Sequence, residues 1–251
     1  MIFSHQLFTH PSSANAGLCL AFLLSLMTRS TAGAQVPESR RSRAVASRIR
    51  PQLEAELKAQ GLTYGAPLFM RIFKESKELE LWVGKGKTFA LFKTYTIHHF
   101  SGNPGPKLKE GDRQAPEGFY SVTPDRMNPH SSYHLAFNLG YPNRYDQAHG
   151  RTGSALMVHG STVSIGCYAM TDARIEEIYT LADGALRSGQ PAFQVHCFPF
   201  RMTAEKLIQH QETTWYNFWV NLKEGYDFFE KTRIPPDVQV KDKRYLFKEV
   251  R

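Results

Sequence analysis

Three short runs between Leu68 and Ile97 limit what this chain can fold into. Leu68–Lys74, Glu78–Val83 and Thr88–Ile97 each have strand length, and the turn-forming segments Glu75-Ser76-Lys77 and Gly84-Lys85-Gly86-Lys87 separate them. In the middle run Leu79, Leu81 and Val83 alternate with Glu78, Glu80 and Trp82. A period of two puts one set on a buried face and the other on the opposite face. The pattern predicts an antiparallel meander. Helical periodicity appears only at its flanks, so the fold class expected is mainly β with flanking helices (β+α).

The flanks divide the chain further. Pro51 to Gln60 predicts a short helix, with Pro51 in its first turn, Leu53 and Leu57 one turn apart, and Gly61 as the stop. After Cys167, Thr171 or Asp172 can cap a helix that carries Ile175, Ile178, Tyr179 and Ala182 on one face. Phe193-Gln194-Val195-His196-Cys197 alternates as a strand with Cys197 in the core. A second amphipathic helix is expected from about Thr203 to Lys223, its apolar side formed by Trp215, Phe218, Trp219 and Leu222. Ser101 to Gly153 is rich in Gly, Pro, Asn and Asp and has no period. Phe119, Tyr120, Tyr133, Phe137, Tyr141 and Tyr145 give it enough apolar surface to be ordered, and long ordered loops usually carry function.

The start of the chain has the composition of an export signal. Ala16 to Met27 is apolar but too short to span a bilayer, and Ala32-Gly33-Ala34 is an A-x-A site that predicts cleavage before Gln35. The mature protein is then periplasmic with no integral membrane span. Arg40, Arg41, Arg43, Arg48 and Arg50 follow, and they predict a solvated, partly disordered basic arm. The formal charge of +8 favours anionic surroundings. No aromatic residues are interleaved with the arginines to stack bases, so no nucleic-acid partner is expected.

One stretch carries chemistry. The apolar run Ala155-Leu156-Met157-Val158 delivers His159 to Gly160, and the chain returns through Ser164-Ile165-Gly166 to Cys167. A free thiol has a pKa of roughly 8.5 and holds little thiolate at neutral pH, so a nearby imidazole must take its proton. His159 and Cys167 are therefore the candidate catalytic pair. The backbone amides of Gly166 and Cys167 are candidates to hold an oxyanion, and the Gly160 carbonyl or the Ser161 hydroxyl to orient His159. Tyr133, His134, Arg151 and Ser164 are candidate substrate contacts; Arg151 suits a carboxylate. A Cys167–Cys197 disulfide would consume the nucleophile and is not expected. His98, His99, His130, His134, His149 and His159 lack metal-ligand spacing, so neither a metal nor any other cofactor is expected.

Met157–Cys167 resembles the active-site signature of the YkuD-type L,D-transpeptidases, cysteine enzymes that act on peptidoglycan stem peptides. His159-Gly160 matches its first part, and Ser164-x-Gly166-Cys167 its second. Ile165 replaces the family's second histidine, Ala169 replaces an Arg or Asn, and the His-to-Cys spacing is short. These departures resemble the YafK-like branch. So do Gly105-Pro106-Lys107, Glu110-Gly111-Asp112, Gln114 to Tyr120, Tyr141-Pro142-Asn143, Gly150 to Gly153 and the stretch Trp215 to Pro236. The resemblance implies a YkuD-like antiparallel β-sandwich or barrel over 66–200. It would follow a signal peptide (1–34) and the arm with its short helix (35–65), and precede a C-terminal helical extension (201–251). It further implies acyl transfer on diaminopimelate-containing stem peptides, with or without a bound outer-membrane lipoprotein, since that branch includes a periplasmic enzyme that detaches such a lipoprotein. Hydrolysis of that link is expected first. The alternatives are transpeptidation, which would form cross-links or lipoprotein attachments, and a catalytically silent module that binds the cell wall.

Overall fold

In the computed structural model, which describes residues 35–249, the three runs form the expected meander. Strands β1 (Leu68–Phe73), β2 (Glu78–Lys85) and β3 (Thr88–Thr96) pair antiparallel, with one register shift between Leu81 and Trp82. β9 (Phe193–Phe198) then lies parallel to β1, and β4 (Gly118–Val122) antiparallel to β9, giving the order β3-β2-β1-β9-β4. A second sheet is assembled from very short strands in the order β5-β6-β7-β8: Met127–Asn128, Ala136–Asn138, Met157–His159 and Tyr168–Ala169. Its last pair is parallel. The fold is thus β+α, with one parallel pair in each otherwise antiparallel sheet.

The two sheets share a core. Met70 and Ile72 from β1, Tyr120 from β4 and Phe193 and Val195 from β9 cluster with Phe137, Val158 and Tyr168 of the second sheet. The Phe137 and Phe193 rings meet edge to face at 5.4 Å. α3 (Asp172–Arg187) joins this cluster through Ile175, Ile178, Tyr179 and Ala182, the face its sequence predicted. Every residue of β1 is buried, because its other face is covered as well. There Phe69 and Trp82 pack on Phe229 of α5 (Tyr216–Thr232), at 4.6 and 4.9 Å between ring centroids. Arg71 lies among these rings and pairs with Glu80 and Glu230 at 2.7 and 2.6 Å.

The long loop is ordered by buried polar contacts as well as by its aromatics. Glu117 is fully buried; it accepts from Lys74 at 3.0 Å, Gly105 N–H at 2.7 Å and Trp219 Nε1 at 2.8 Å. One carboxylate therefore ties the loop to β1 and to α5. Asp112 accepts from Lys107 Nζ and from the Leu108 and Lys109 amides, which folds residues 107–112 back on themselves.

Three expectations are corrected. The basic arm is not disordered: α1 runs from Arg40 to Ala59 in one piece. Ser39 and Ser42 form a reciprocal cap, and Ser42, Val45, Ile49, Leu53 and Leu57 make a stripe at helical spacing that is wholly or partly buried. Pro51 therefore sits inside the helix and not in its first turn. Its missing N–H removes one backbone bond, which the buried stripe outweighs. The helix expected from Thr203 to Lys223 is two helices, α4 (Ala204–Gln209) and α5, separated by turns through His210 to Thr214. Beyond Thr232 the extension ends in a hairpin, β10 (Asp237–Lys241) with β11 (Arg244–Lys248). Its turn residues, Asp242 and Lys243, both have positive φ, the combination a two-residue hairpin loop requires. α2 is a single short helix at Arg144–Ala148. Among the described residues no helix is long and apolar enough to cross a membrane.

Candidate active site

The parallel pair β7–β8 carries the two candidate catalytic residues on neighbouring strands. Val158 stands opposite Tyr168 and His159 opposite Ala169, and both Val158 and Tyr168 point into the core. One step back along both strands sets Cys167 beside Met157, whose N–H donates to Cys167 Sγ at 3.4 Å. Side chains alternate along a strand, so His159 and Cys167 share the face opposite the core and are diagonal neighbours there. Neither cysteine of the described residues is in a disulfide.

The sulfur lies against the Met157 amide and, at 3.7 Å, the Ala155 carbonyl. No hydrogen bond joins it to the imidazole among the described residues. Burial pushes the Cys167 thiol above its ordinary value; the Met157 N–H and the Lys107 charge pull the other way and do not cancel it. Burial likewise pushes His159 below its ordinary value, opposed by its bond to the Gly160 carbonyl. Both shifts favour the uncharged forms, a thiol and a neutral imidazole. Such a pair suits general-base activation when substrate arrives, in place of a standing thiolate–imidazolium pair.

His159 is 2% exposed and tightly held. Its Nδ1 lies 2.6 Å from the Gly160 carbonyl oxygen. Tyr133, 46% exposed, lays its ring over the imidazole at 4.7 Å. α1 grips the loop that carries this tyrosine, since Arg41 donates to the carbonyls of Ser131 and His134 and Ser39 to that of Pro129. Gly160 has no room for a side chain: a Cβ would stand 2.6 Å from Asp172 Oδ1 and 2.8 Å from the Tyr133 carbonyl oxygen. Asp172 also accepts the Ser161 N–H at 2.7 Å. That role was not visible in the sequence, where Asp172 read only as a helix cap. Residues held in left-handed backbone (Ala155, Ser161 and Thr171) bracket both strands, a concentration of strain typical of functional sites.

Other expected contacts fall differently. The Gly166 N–H donates to Ser164 Oγ at 3.1 Å, and Ser164 Oγ donates to the Cys167 carbonyl at 2.6 Å. The Gly166 amide is therefore engaged within the loop, and of the two candidate amides that of Cys167 is the one without such a bond. Ser164 closes the turn, its hydroxyl proton committed to the Cys167 carbonyl. Gly166 itself has φ +139°, a region that strongly favours glycine. The Ser161 hydroxyl makes no bond to His159, so of the two orienting groups it is the Gly160 carbonyl that touches the ring. His134 Nε2 is bonded to Glu176 at 2.9 Å, and Arg48 meets the same carboxylate, so that imidazole is turned toward α3. Arg151 is buried. It pairs with Asp146 at 2.8 Å between the rings of Tyr145 and Phe218, so its guanidinium is engaged inside the folded loop. Ile165 is 80% exposed and Val163 57%, so the loop before Cys167 presents apolar side chains to solvent. Among the described residues no group of three His, Cys, Asp or Glu is placed to hold a metal ion.

Residues 70–197 match the family model of the L,D-transpeptidase catalytic domain, termed YkuD. The chain is also 48% identical over 182 residues to YafK of Escherichia coli (strain K12), itself named as a candidate L,D-transpeptidase. That match covers 72% of this chain and 74% of the relative. The chain belongs to the L,D-transpeptidase catalytic-domain family. The matched span runs from β1 to β9 and so encloses His159 and Cys167, while α1, α5 and the terminal hairpin lie outside it. The crystal structure of the helical cell shape determining protein Pgp2 from Campylobacter jejuni is similar at 17% identity and a TM-score of 0.42, over 75% of this chain and 80% of that one.

Proposed function

We propose that this L,D-transpeptidase-family protein is a periplasmic cysteine acyl-transfer enzyme that hydrolyses the link between peptidoglycan stem peptides and a bound lipoprotein. Support comes foremost from Cys167 Sγ: a free, partly accessible thiol on the same strand face as a buried imidazole whose Nδ1 is capped by a backbone carbonyl. His159 Nε2 takes the thiol proton as sulfur attacks a stem-peptide carbonyl, and the Cys167 amide holds the oxyanion. The C–N bond breaks as the imidazolium gives its proton to the leaving amine. Water, deprotonated by the same Nε2, then cleaves the thioester. Hydrolysis is favoured over transfer to an amine because Ile165 and Ala169 stand where family members keep polar side chains beside the nucleophile.

The test is to incubate the exported form with sacculi that carry bound lipoprotein, beside a Cys167→Ala control, and to identify products by mass spectrometry. Lipoprotein-derived peptides freed only by the intact protein support hydrolysis. New diaminopimelate cross-links would replace it with transpeptidation, and sacculi left unchanged by both proteins would leave a wall-binding module.

A further inference from the structure

A cavity of about 460 Å³ opens between the edge strand β4, the α2 segment and the C-terminal hairpin, and neither His159 nor Cys167 lines it. Phe119, Tyr120 and Tyr245 contribute aromatic surface, and Arg126, Arg144 and Asp237 supply its charges. Two guanidinium groups against one carboxylate leave the cavity electropositive. Among the described residues neither arginine is in an ion pair. Arg126 Nη1 reaches the carbonyls of Ser121 and Leu139, and among the described residues its other nitrogens have no partner. Arg144 is exposed and makes no side-chain bond among the described residues. The neighbouring amides are already used: Asn143 Nδ2 donates to the Phe119 carbonyl, Gln147 Nε2 to that of Pro142 and Gln194 Nε2 to that of Pro236. The charged donors left for a ligand are the two arginines, groups whose planar fork matches a carboxylate.

The cavity is also tied to the nucleophile's strand. Leu139, one of its lining residues, donates its N–H to the Leu156 carbonyl at 2.9 Å, and the next residue, Met157, touches Sγ. Across β7, two strand spacings of backbone separate Leu139 from Cys167, about 10 Å. We propose that this cleft binds a carboxylate-bearing peptide segment of the substrate, away from the bond attacked at Cys167, through Arg144 and Arg126. Val238, Val240 and Tyr245 of the hairpin form one wall, so the part of the chain beyond the family domain completes the binding surface. The inference rests on the peptidoglycan substrate proposed above.

The experiment uses the full exported chain with Cys167→Ala, so that binding is read without turnover. Calorimetry is run with the soluble diaminopimelate tripeptide in free-acid and fully amidated forms. The free acid is expected to bind, the amidated form about tenfold more weakly or worse, and Arg144→Gln to weaken free-acid binding by about tenfold with the thermal midpoint unchanged. Equal affinity of the Arg144→Gln protein and its parent overturns the cleft. So does an absence of binding to the parent. Product release from sacculi is scored separately, so either negative result leaves the proposed reaction to stand or fall by its own assay.

Discussion

The Gly160 carbonyl oxygen stands 2.6 Å from His159 Nδ1. A carbonyl can only accept, so Nδ1 carries the proton and Nε2 keeps its lone pair. The ring is thereby fixed as the tautomer a general base needs, by a main-chain atom one residue away rather than by a carboxylate. Replacing His159 with Gln should lower the rate of lipoprotein-peptide release by about 100-fold or more. The fold should persist, as circular dichroism would show.

The pH profile follows from the same ring. Burial holds His159 below its ordinary value, and the neutral form is the base. Activity should therefore be retained as pH falls through the usual imidazole range near 6.5 and be lost only below it. Measuring kcat/KM for product release against pH gives the acid limb, which an unperturbed or raised histidine would place at or above 6.5.

Cys167 gives the opposite limb. Burial raises its thiol, so in the free enzyme alkylation by iodoacetamide should gain speed only at a pH above that of the unfolded protein. Alkylation rates in native buffer and in denaturant, followed by intact mass, provide the comparison. A native midpoint below the unfolded one would indicate a standing thiolate.

These groups were unequally legible in the sequence. His159 and Cys167 follow from residue type and spacing, and the meander and α3 follow from their apolar periods. The engagement of the Gly166 amide by Ser164 could not be read, because it depends on how a short turn closes. Arg151 was read by its charge, but its partner Asp146 and its flanking rings meet it only in the folded loop. The terminal hairpin was missed because its turn is Asp242-Lys243, without the glycine that usually marks one. The length of α1 was hidden by five arginines and by Pro51, and it emerges only once the stripe from Ser42 to Leu57 is seen against the core.

Gly160→Ala should nearly abolish activity. Its Cβ would fall 2.8 Å from the Tyr133 carbonyl, and backbone does not yield as a flexible side chain would. Forced overpacking of this kind costs about 1–3 kcal/mol, and here it displaces the carbonyl that orients His159. A lower thermal midpoint together with a lost rate would be seen in one preparation, and a rate unchanged from the parent's would show that the Gly160 carbonyl does not matter.

The buried pair Lys74–Glu117 holds the loop. Lys74→Met leaves the Glu117 carboxylate fully buried without its counter-charge, and breaking such a pair costs about 3–5 kcal/mol. Urea titration should show that loss. Lys74→Met with Glu117→Gln should recover part of it, because no buried charge remains.

The most direct measurement is the mass of the protein after brief mixing with a diaminopimelate-containing stem peptide and acid quenching. A covalent adduct of the acyl fragment should appear, map to the peptide that contains Cys167, and vanish with Cys167→Ala. Undiminished product release by the Cys167→Ala protein, or an adduct on any other residue, would contradict sulfur as the nucleophile.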